Sequence, residues 1–163
     1  MFIVILEDDT RRVEAMRPVL ADLAPDHAIA VFDCAPRMIA WLEDNLDRTA
    51  LVSLDNDLIP PLTEAGPVVP PGCGLDVAAF LAGRPPACPV ILHTANYLAA
   101  PVMEEVLTRA GWRVKRVVPF FDLERVGSAW LLAVMTLLAP SHLRDGDPTP
   151  GDRTACREAT PNG

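Results

Sequence analysis

The chain predicts an α/β fold: a doubly wound, five-stranded parallel sheet of order 2-1-3-4-5 with helices on both faces, a three-layer sandwich. Three observations predict it. Apolar runs of four to six residues recur along the chain with helix-length segments between them, the pattern of strands buried on both faces. Half of the 163 residues are hydrophobic, enough for one domain with a substantial core. Three of the runs end in polar clusters, and ligands of such sheets bind in the crevice beyond the carboxyl ends of the strands.

The elements follow in order. Phe2 to Leu6 forms strand one and runs into Glu7-Asp8-Asp9. Thr10 can cap a helix over 11–23, with Val13, Met16, Val19, Leu20 and Leu23 on one stripe. Pro25-Asp26 ends it, and Ala28 to Phe32 makes strand two. A second helix over 35–47 buries Met38, Ile39, Trp41, Leu42 and Leu46. Strand three, 50–54, runs into Asp55-Asn56-Asp57. The stretch 59–73 holds Pro60, Pro61, Pro67, Pro70 and Pro71, which suit neither a ladder nor a helix interior, so it reads as a long loop beside the crevice. A short helix covers 74–83, strand four covers 89–93 and leads into Thr94-Ala95-Asn96, and a helix over 99–110 stops at Gly111. Strand five is 114–118 and a strongly apolar helix spans 122–138. From Pro140 onward there is no period, so the expected organisation is one domain over 1–139 and a disordered tail over 140–163.

Composition narrows the function. A net charge of −8 argues against general binding to a nucleic-acid backbone, which needs a basic face. It leaves open an enzyme that meets phosphate through a bound metal. Cys34, Cys73, Cys88 and Cys156 show neither Cys-x-x-Cys spacing nor nearby paired histidines, so they read as isolated thiols of a reducing cytoplasm. The early charges Glu7-Asp8-Asp9 break any signal-peptide pattern, and no apolar stretch reaches the roughly 18 residues of a membrane span.

Strands one, three and four are neighbours in this order, and right-handed crossovers put their polar ends at one sheet edge. Asp8, Asp9, Asp55 and Asp57 gathered there repel one another unless a divalent cation or protons offset their charge. Carboxylate oxygens suit a hard cation, Mg2+ or Mn2+. The plainer readings are that Asp8-Asp9 begins a helix, that Asp-x-Asp is a turn, and that His93 is a core histidine. Arg11-Arg12 and Arg113-Lys115-Arg116 read as solvated faces, the lesser alternative being that Arg12, early in helix one, reaches a bound phosphate.

These residues resemble the receiver domains of response regulators over residues 1–138. Asp8-Asp9 resembles the acidic pair that binds magnesium, and Asp55 the strand-three aspartate that accepts a phosphoryl group. Asp55-Asn56-Asp57-Leu58-Ile59-Pro60 is similar to the Asp-x-x-[Met/Leu]-Pro pattern with one residue added. Gly74-Leu75-Asp76 resembles the start of helix three, Thr94 the hydroxyl that meets the phosphoryl oxygen, and Pro119-Phe120 the pair after strand five. Receivers keep a lysine immediately before that proline. Here Val118 stands there, and the only lysine, Lys115, points to the other face of the strand. Arg116 has the right parity but lies roughly 6.5 Å further back.

Ser53-Leu54-Asp55-Asn56-Asp57-Leu58 and His93-Thr94-Ala95-Asn96 are more similar to the cyclic-phosphate-processing receiver family, with its Leu-Asp-His-Asp-Leu and His-[Ser/Thr]-x-Asn signatures. Asn56 replaces the usual histidine. The resemblance implies action on a cyclic phosphate of a nucleotide or RNA end. A metal would be held by Asp8 or Asp9 with Asp55, and Asp57 nearby. His93 would donate a proton to the leaving ribose oxygen, and Thr94 and Asn96 would orient phosphoryl oxygens. Asp55, His93, Thr94 and Asn96 are then the catalytic candidates. The alternatives are a phosphoacceptor receiver using Asp55, with a signalling protein as partner, and a pseudo-receiver that only binds a partner. A Toprim-type nuclease, with Glu7 and Asp55/Asp57 as its acids, is the more distant one, and the acidic net charge counts against it.

Overall fold

A computed structural model describes residues 1–59, 70–117 and 126–139. Five parallel strands make one sheet of order β2-β1-β3-β4-β5: β1 (Phe2–Leu6), β2 (Ala28–Phe32), β3 (Thr49–Leu54), β4 (Val90–Leu92) and β5 (Val114–Arg116). The helices are α1 (Thr10–Leu23), α2 (Ala35–Asn45), α3 (Gly74–Ala82), α4 (Ala99–Arg109) and α5 (Val126–Leu138), with a 3-10 turn over Leu46–Arg48. The expected fold class and strand order are therefore observed.

Alternation along each strand divides the core in two. Val4, Leu6, Val52, Leu54, Val90 and Leu92 face α2, α3 and α4, where Met38, Leu42, Leu81, Met103 and Leu107 complete one cluster. Ile3, Ile5, Leu51 and Ile91 face α1 and α5, and pack on Met16, Leu20, Trp130 and Val134.

Several boundaries differ from expectation. Thr10 is the first residue of α1, not its cap: the Asp9 side chain accepts from the Arg11 amide at 2.9 Å, because a carboxylate one residue earlier reaches the free amides of the first turn. Pro18 lies inside α1 and is accommodated there although it has no N–H to give the ladder. Strand β4 covers Val90–Leu92 rather than 89–93, and β5 covers Val114–Arg116 of the expected 114–118. Val118, Pro119 and Phe120, the proline loop over 60–69, residues 122–125 and the tail over 140–163 lie outside the described residues. Among the described residues no helix is long and apolar enough to cross a membrane.

The ladders continue one residue past the strands. Asp55 N donates to Leu6 O, His93 N to Leu54 O, and Glu7 N to Phe32 O. Glu7, Asp55 and His93 thus form a row across the ends of β1, β3 and β4. Each is two residues beyond a member of the Ile5–Ser53–Ile91 row, so all point to the α1/α5 face.

Candidate functional site

Parity turns that row into a buried polar cluster. Glu7 and His93 are each 2% exposed and Asp55 3%, so their charges and dipoles act on one another with little water between. Asp55 Oδ2 accepts from Arg12 Nη2 at 2.9 Å and its Oδ1 from the Asn56 amide at 2.6 Å. Arg12 Nη2 also lies 3.0 Å from Glu7 Oε1, which accepts from the Asp9 amide as well. Arg12 reaches the row because it shares a helical stripe with Met16 and Leu20, the residues that seat α1 on the sheet.

A second chain of contacts runs inward. Trp130 Nε1 donates to Ser53 Oγ at 2.9 Å, and Ser53 Oγ lies 2.9 Å from His93 Nδ1. An indole N–H only donates, so Ser53 Oγ is the acceptor toward Trp130, and its contact with His93 Nδ1 takes its direction from the imidazole tautomer. Nε2 stands 3.3 Å from Glu7 Oε2, without hydrogen-bond alignment. Both atoms are buried and have no hydrogen-bond partner among the described residues. Such groups are rare in folded proteins and mark functional positions.

The remaining candidates lie around the mouth. Asp8 Oδ2 accepts from the Ile59 amide at 2.8 Å, tying the start of the proline loop to the end of β1. Asp9 Oδ1 and Oδ2 face the Arg11 guanidinium; that hydrogen bond holds the Asp9 carboxyl below its ordinary value, against the smaller opposing effect of burial. Asp57 is gripped by amides: Asn96 Nδ2 lies 2.9 and 3.1 Å from its two oxygens, and Asn56 Nδ2 is 2.8 Å from one. Asn96 Oδ1 in turn accepts from the Leu98 and Ala99 amides at the start of α4, and Thr94 Oγ1 from the Asn96 amide. A cleft of about 430 Å³ opens here, walled by Asp8, Asp9, Arg12, Asp57 and Ile59 among others.

Carboxylate oxygens of Glu7, Asp8 and Asp55 all lie within 4.8 Å of one another. Oxygen-only ligands at that separation suit Mg2+ or Mn2+, and the buried Glu7 carboxylate keeps one oxygen, Oε2, without a hydrogen bond. The structure thus gathers Asp8 and Asp55, as expected, but with Glu7 as the third acid. Asp9 is occupied as the α1 cap and Asp57 as the amide-bound bridge between the loops after β3 and β4. His93 presents both ring nitrogens to protein groups rather than to the cleft.

Glycine at position 74 lets α3 start against this site. A Cβ there would stand 2.2 Å from the Asp55 carbonyl oxygen, and Gly74 N donates to Asn56 O at 3.1 Å. Asn56 Oδ1 then accepts from Leu75 N, so the loop after β3 is bound to the start of α3.

Residues 3–109 match the family described as the cyclic-phosphate processing receiver domain. The chain belongs to that family. Solved receiver structures share its fold. The response regulator receiver domain of Rhodospirillum rubrum is 17% identical with a TM-score of 0.61, covering 83% of this chain and 92% of its own. The phosphorylated cyanobacterial phytochrome response regulator RcpA is 16% identical with a TM-score of 0.66, covering 85% and 94%. The Mn2+-bound form of response regulator Rcp1 is 17% identical with a TM-score of 0.57, covering 82% and 88%. No curated protein matches the sequence.

Ser53 and Trp130 add to the residues read as chemical from sequence, and Glu7 and Arg12, which entered there only in outlying readings, stand at the centre of the cluster. Glu7 and Ser53 carried a usable signal: both alternate with Ile5, Leu51 and Ile91, polar residues in rows that face the core. Arg12 carried one in its spacing from Met16. Trp130 carried none beyond an apolar helix, and it lies outside the span that matches the family.

Proposed function

We propose that this receiver binds Mg2+ or Mn2+ through Glu7, Asp8 and Asp55 and opens a cyclic phosphate on a nucleotide or RNA end in the cleft above them. One observation carries the reading: one carboxylate oxygen from each of Glu7, Asp8 and Asp55 lies within 4.8 Å of the others, in a set where Glu7 also keeps a buried oxygen that makes no hydrogen bond. Leaving such a group unpaired costs about 1–3 kcal/mol, and more for a charged one, a cost that a hard cation at the same carboxylate offsets. Membership of the cyclic-phosphate processing family supports the substrate class.

A bound cation supplies a polarised phosphate oxygen and a more acidic water. The protein supplies the geometry. Asp55 is held by Arg12 and the Asn56 amide, and Glu7 by Arg12 and the Asp9 amide. His93, contacted at Nδ1 by the Ser53 hydroxyl that Trp130 also binds, stands 3.3 Å behind Glu7 Oε2 as a neighbour of the metal ligand rather than a ligand itself. The Asn96–Asp57 bridge fixes the loops after β3 and β4 relative to each other, with Thr94 Oγ1 holding the Asn96 amide, so these side chains position the rim rather than touch the phosphate. Water adds to phosphorus, one ring P–O bond breaks, and the leaving ribose oxygen takes its proton from water in the open cleft. The thiols of Cys34, Cys73 and Cys88 are free, which fits a reducing cytoplasm.

The test is incubation of the chain with a 2′,3′-cyclic nucleotide and Mg2+ or Mn2+, with product followed by chromatography. We expect metal-dependent ring opening that falls at least about a hundredfold in Asp55→Asn. No turnover with either metal removes the enzymatic reading. A second reading, phosphoacceptor signalling with a protein partner, is favoured by the place of Asp55 directly after β3. A stable beryllofluoride adduct on Asp55 in the presence of Mg2+, without turnover, would select it.

A further inference from the structure

We infer that Arg12 is the phosphate-binding cation of this site, kept in reserve by the same carboxylates that take the metal, so that metal binding releases its guanidinium to the substrate. The inference rests on the metal-and-phosphate reading above.

Arg12 Nη2 lies 2.9 Å from Asp55 Oδ2 and 3.0 Å from Glu7 Oε1. Those two residues and Asp8 are the three acids able to share an ion. The guanidinium therefore stands between two of the three metal ligands and offsets their repulsion. It does so poorly. Both contacts run through one nitrogen, whereas arginine's rigid fork is best used by binding one carboxylate through two parallel bonds. Arg12 Nε is buried with no hydrogen-bond partner among the described residues, and it is 3.9 Å from Asp9 Oδ2, beyond hydrogen-bonding range. Glu7 Oε2, on the His93 side of the same carboxylate, likewise makes no hydrogen bond. Two buried groups with unmet capacity identify an arrangement that a better ligand displaces.

A divalent ion at these acids takes the oxygens that Nη2 now uses. The displaced guanidinium stays close, because Arg12 is held in the first turn of α1, and the cleft of about 430 Å³ is the space beside it. A phosphate on the ion then offers paired oxygens that match the fork. The charge of β5 does not compete for the role: Arg116 pairs with Glu104 at 3.3 Å on the α4 side, and Lys115 is exposed. Arg11 is outward on the rim with its fork on Asp9. Metal and phosphate therefore strengthen each other's binding, each by the same factor.

Calorimetry on the full chain tests this with Mg2+ alone, and with inorganic phosphate in the absence and presence of saturating Mg2+. Arg12→Met keeps the aliphatic stem, and we expect it to bind Mg2+ about tenfold more tightly than the native chain, because a cation has left the site. In saturating Mg2+ it should bind phosphate about tenfold more weakly, with Arg12→Lys in between. The native chain should bind phosphate more tightly with Mg2+ than without it. That measurement needs no variant and stands even where Arg12→Met does not fold. Unchanged or weaker Mg2+ binding in Arg12→Met overturns the inference while leaving the metal site in place. So does unchanged phosphate binding, or phosphate affinity in the native chain that ignores Mg2+. No Mg2+ binding by either native chain or variant overturns the metal reading and this inference together.

Discussion

Ser53 is the smallest side chain in the buried polar cluster and joins two larger ones. Its hydroxyl accepts from Trp130 and faces His93 Nδ1, both at 2.9 Å, in a row otherwise made of Ile5 and Ile91. Ser53→Ala removes one oxygen and leaves an indole N–H and an imidazole nitrogen buried without partners. We expect a loss of roughly 2–3 kcal/mol in urea unfolding, with the apolar Ala methyl recovering little of it. A loss under about 0.5 kcal/mol would mean that the two rings find partners elsewhere. Asp9 offers a separate test. The Arg11 guanidinium lowers its carboxyl, so the contact stabilises the fold fully above the unfolded value of about 3.9 and less as pH falls through the lower folded value. Arg11→Ala should raise the Asp9 value toward the ordinary one, as carbon-detected NMR titration of the carboxyl would read. The contact is solvent-exposed, so overall stability should change little.

At the level of elements, the site depends on how closely α3 approaches the end of β3. The helix begins against the Asp55 carbonyl, where any Cβ at position 74 would stand 2.2 Å from the oxygen. Backbone has to move to admit even a methyl group, and overpacking of this kind costs about 1–3 kcal/mol or more. Gly74→Ala should therefore lower stability by that amount and, by shifting the Asp55 and Asn56 backbone, weaken Mg2+ binding in calorimetry. Full stability with native Mg2+ affinity would show that the start of α3 is free to slide. The same close approach explains why Asn56 serves as a joint. Its Oδ1 holds Leu75 N, its Nδ2 holds Asp57, and its carbonyl accepts from Gly74 N.

Over the whole molecule, five carboxylates, Glu7, Asp8, Asp9, Asp55 and Asp57, crowd one end of the sheet against the guanidinium groups of Arg11 and Arg12. Their repulsion is carried by the packed strands beneath. A cation that binds only the folded chain should therefore raise its stability by about 2.7 kcal/mol at a hundred times its dissociation constant. Thermal unfolding with increasing Mg2+ should show that rise in the native chain and lose most of it in Asp55→Asn. An equal rise in both would place the ion elsewhere.

The strand order, the helix positions and the edge of the sheet that carries the polar residues were all legible in the chain. They depend on alternation, on helical spacing and on handedness, which are local rules written in local sequence. Asp8 and Asp55 were legible for the same reason: Asp55 follows β3 directly and Asp8 lies two residues past β1. The partners of each side chain were not. Asp9 caps α1 and Asp57 meets Asn96 because neighbouring groups compete for the same carboxylates, and only the folded distances decide which donor is nearer. Glu7, Ser53, His93 and Trp130 come from the end of β1, from β3, from the end of β4 and from α5, segments far apart in the chain, with 77 positions between Ser53 and the Trp130 that bonds it. Their meeting is a property of packing, in which the α1/α5 face closes over one row of the sheet and excludes water from it.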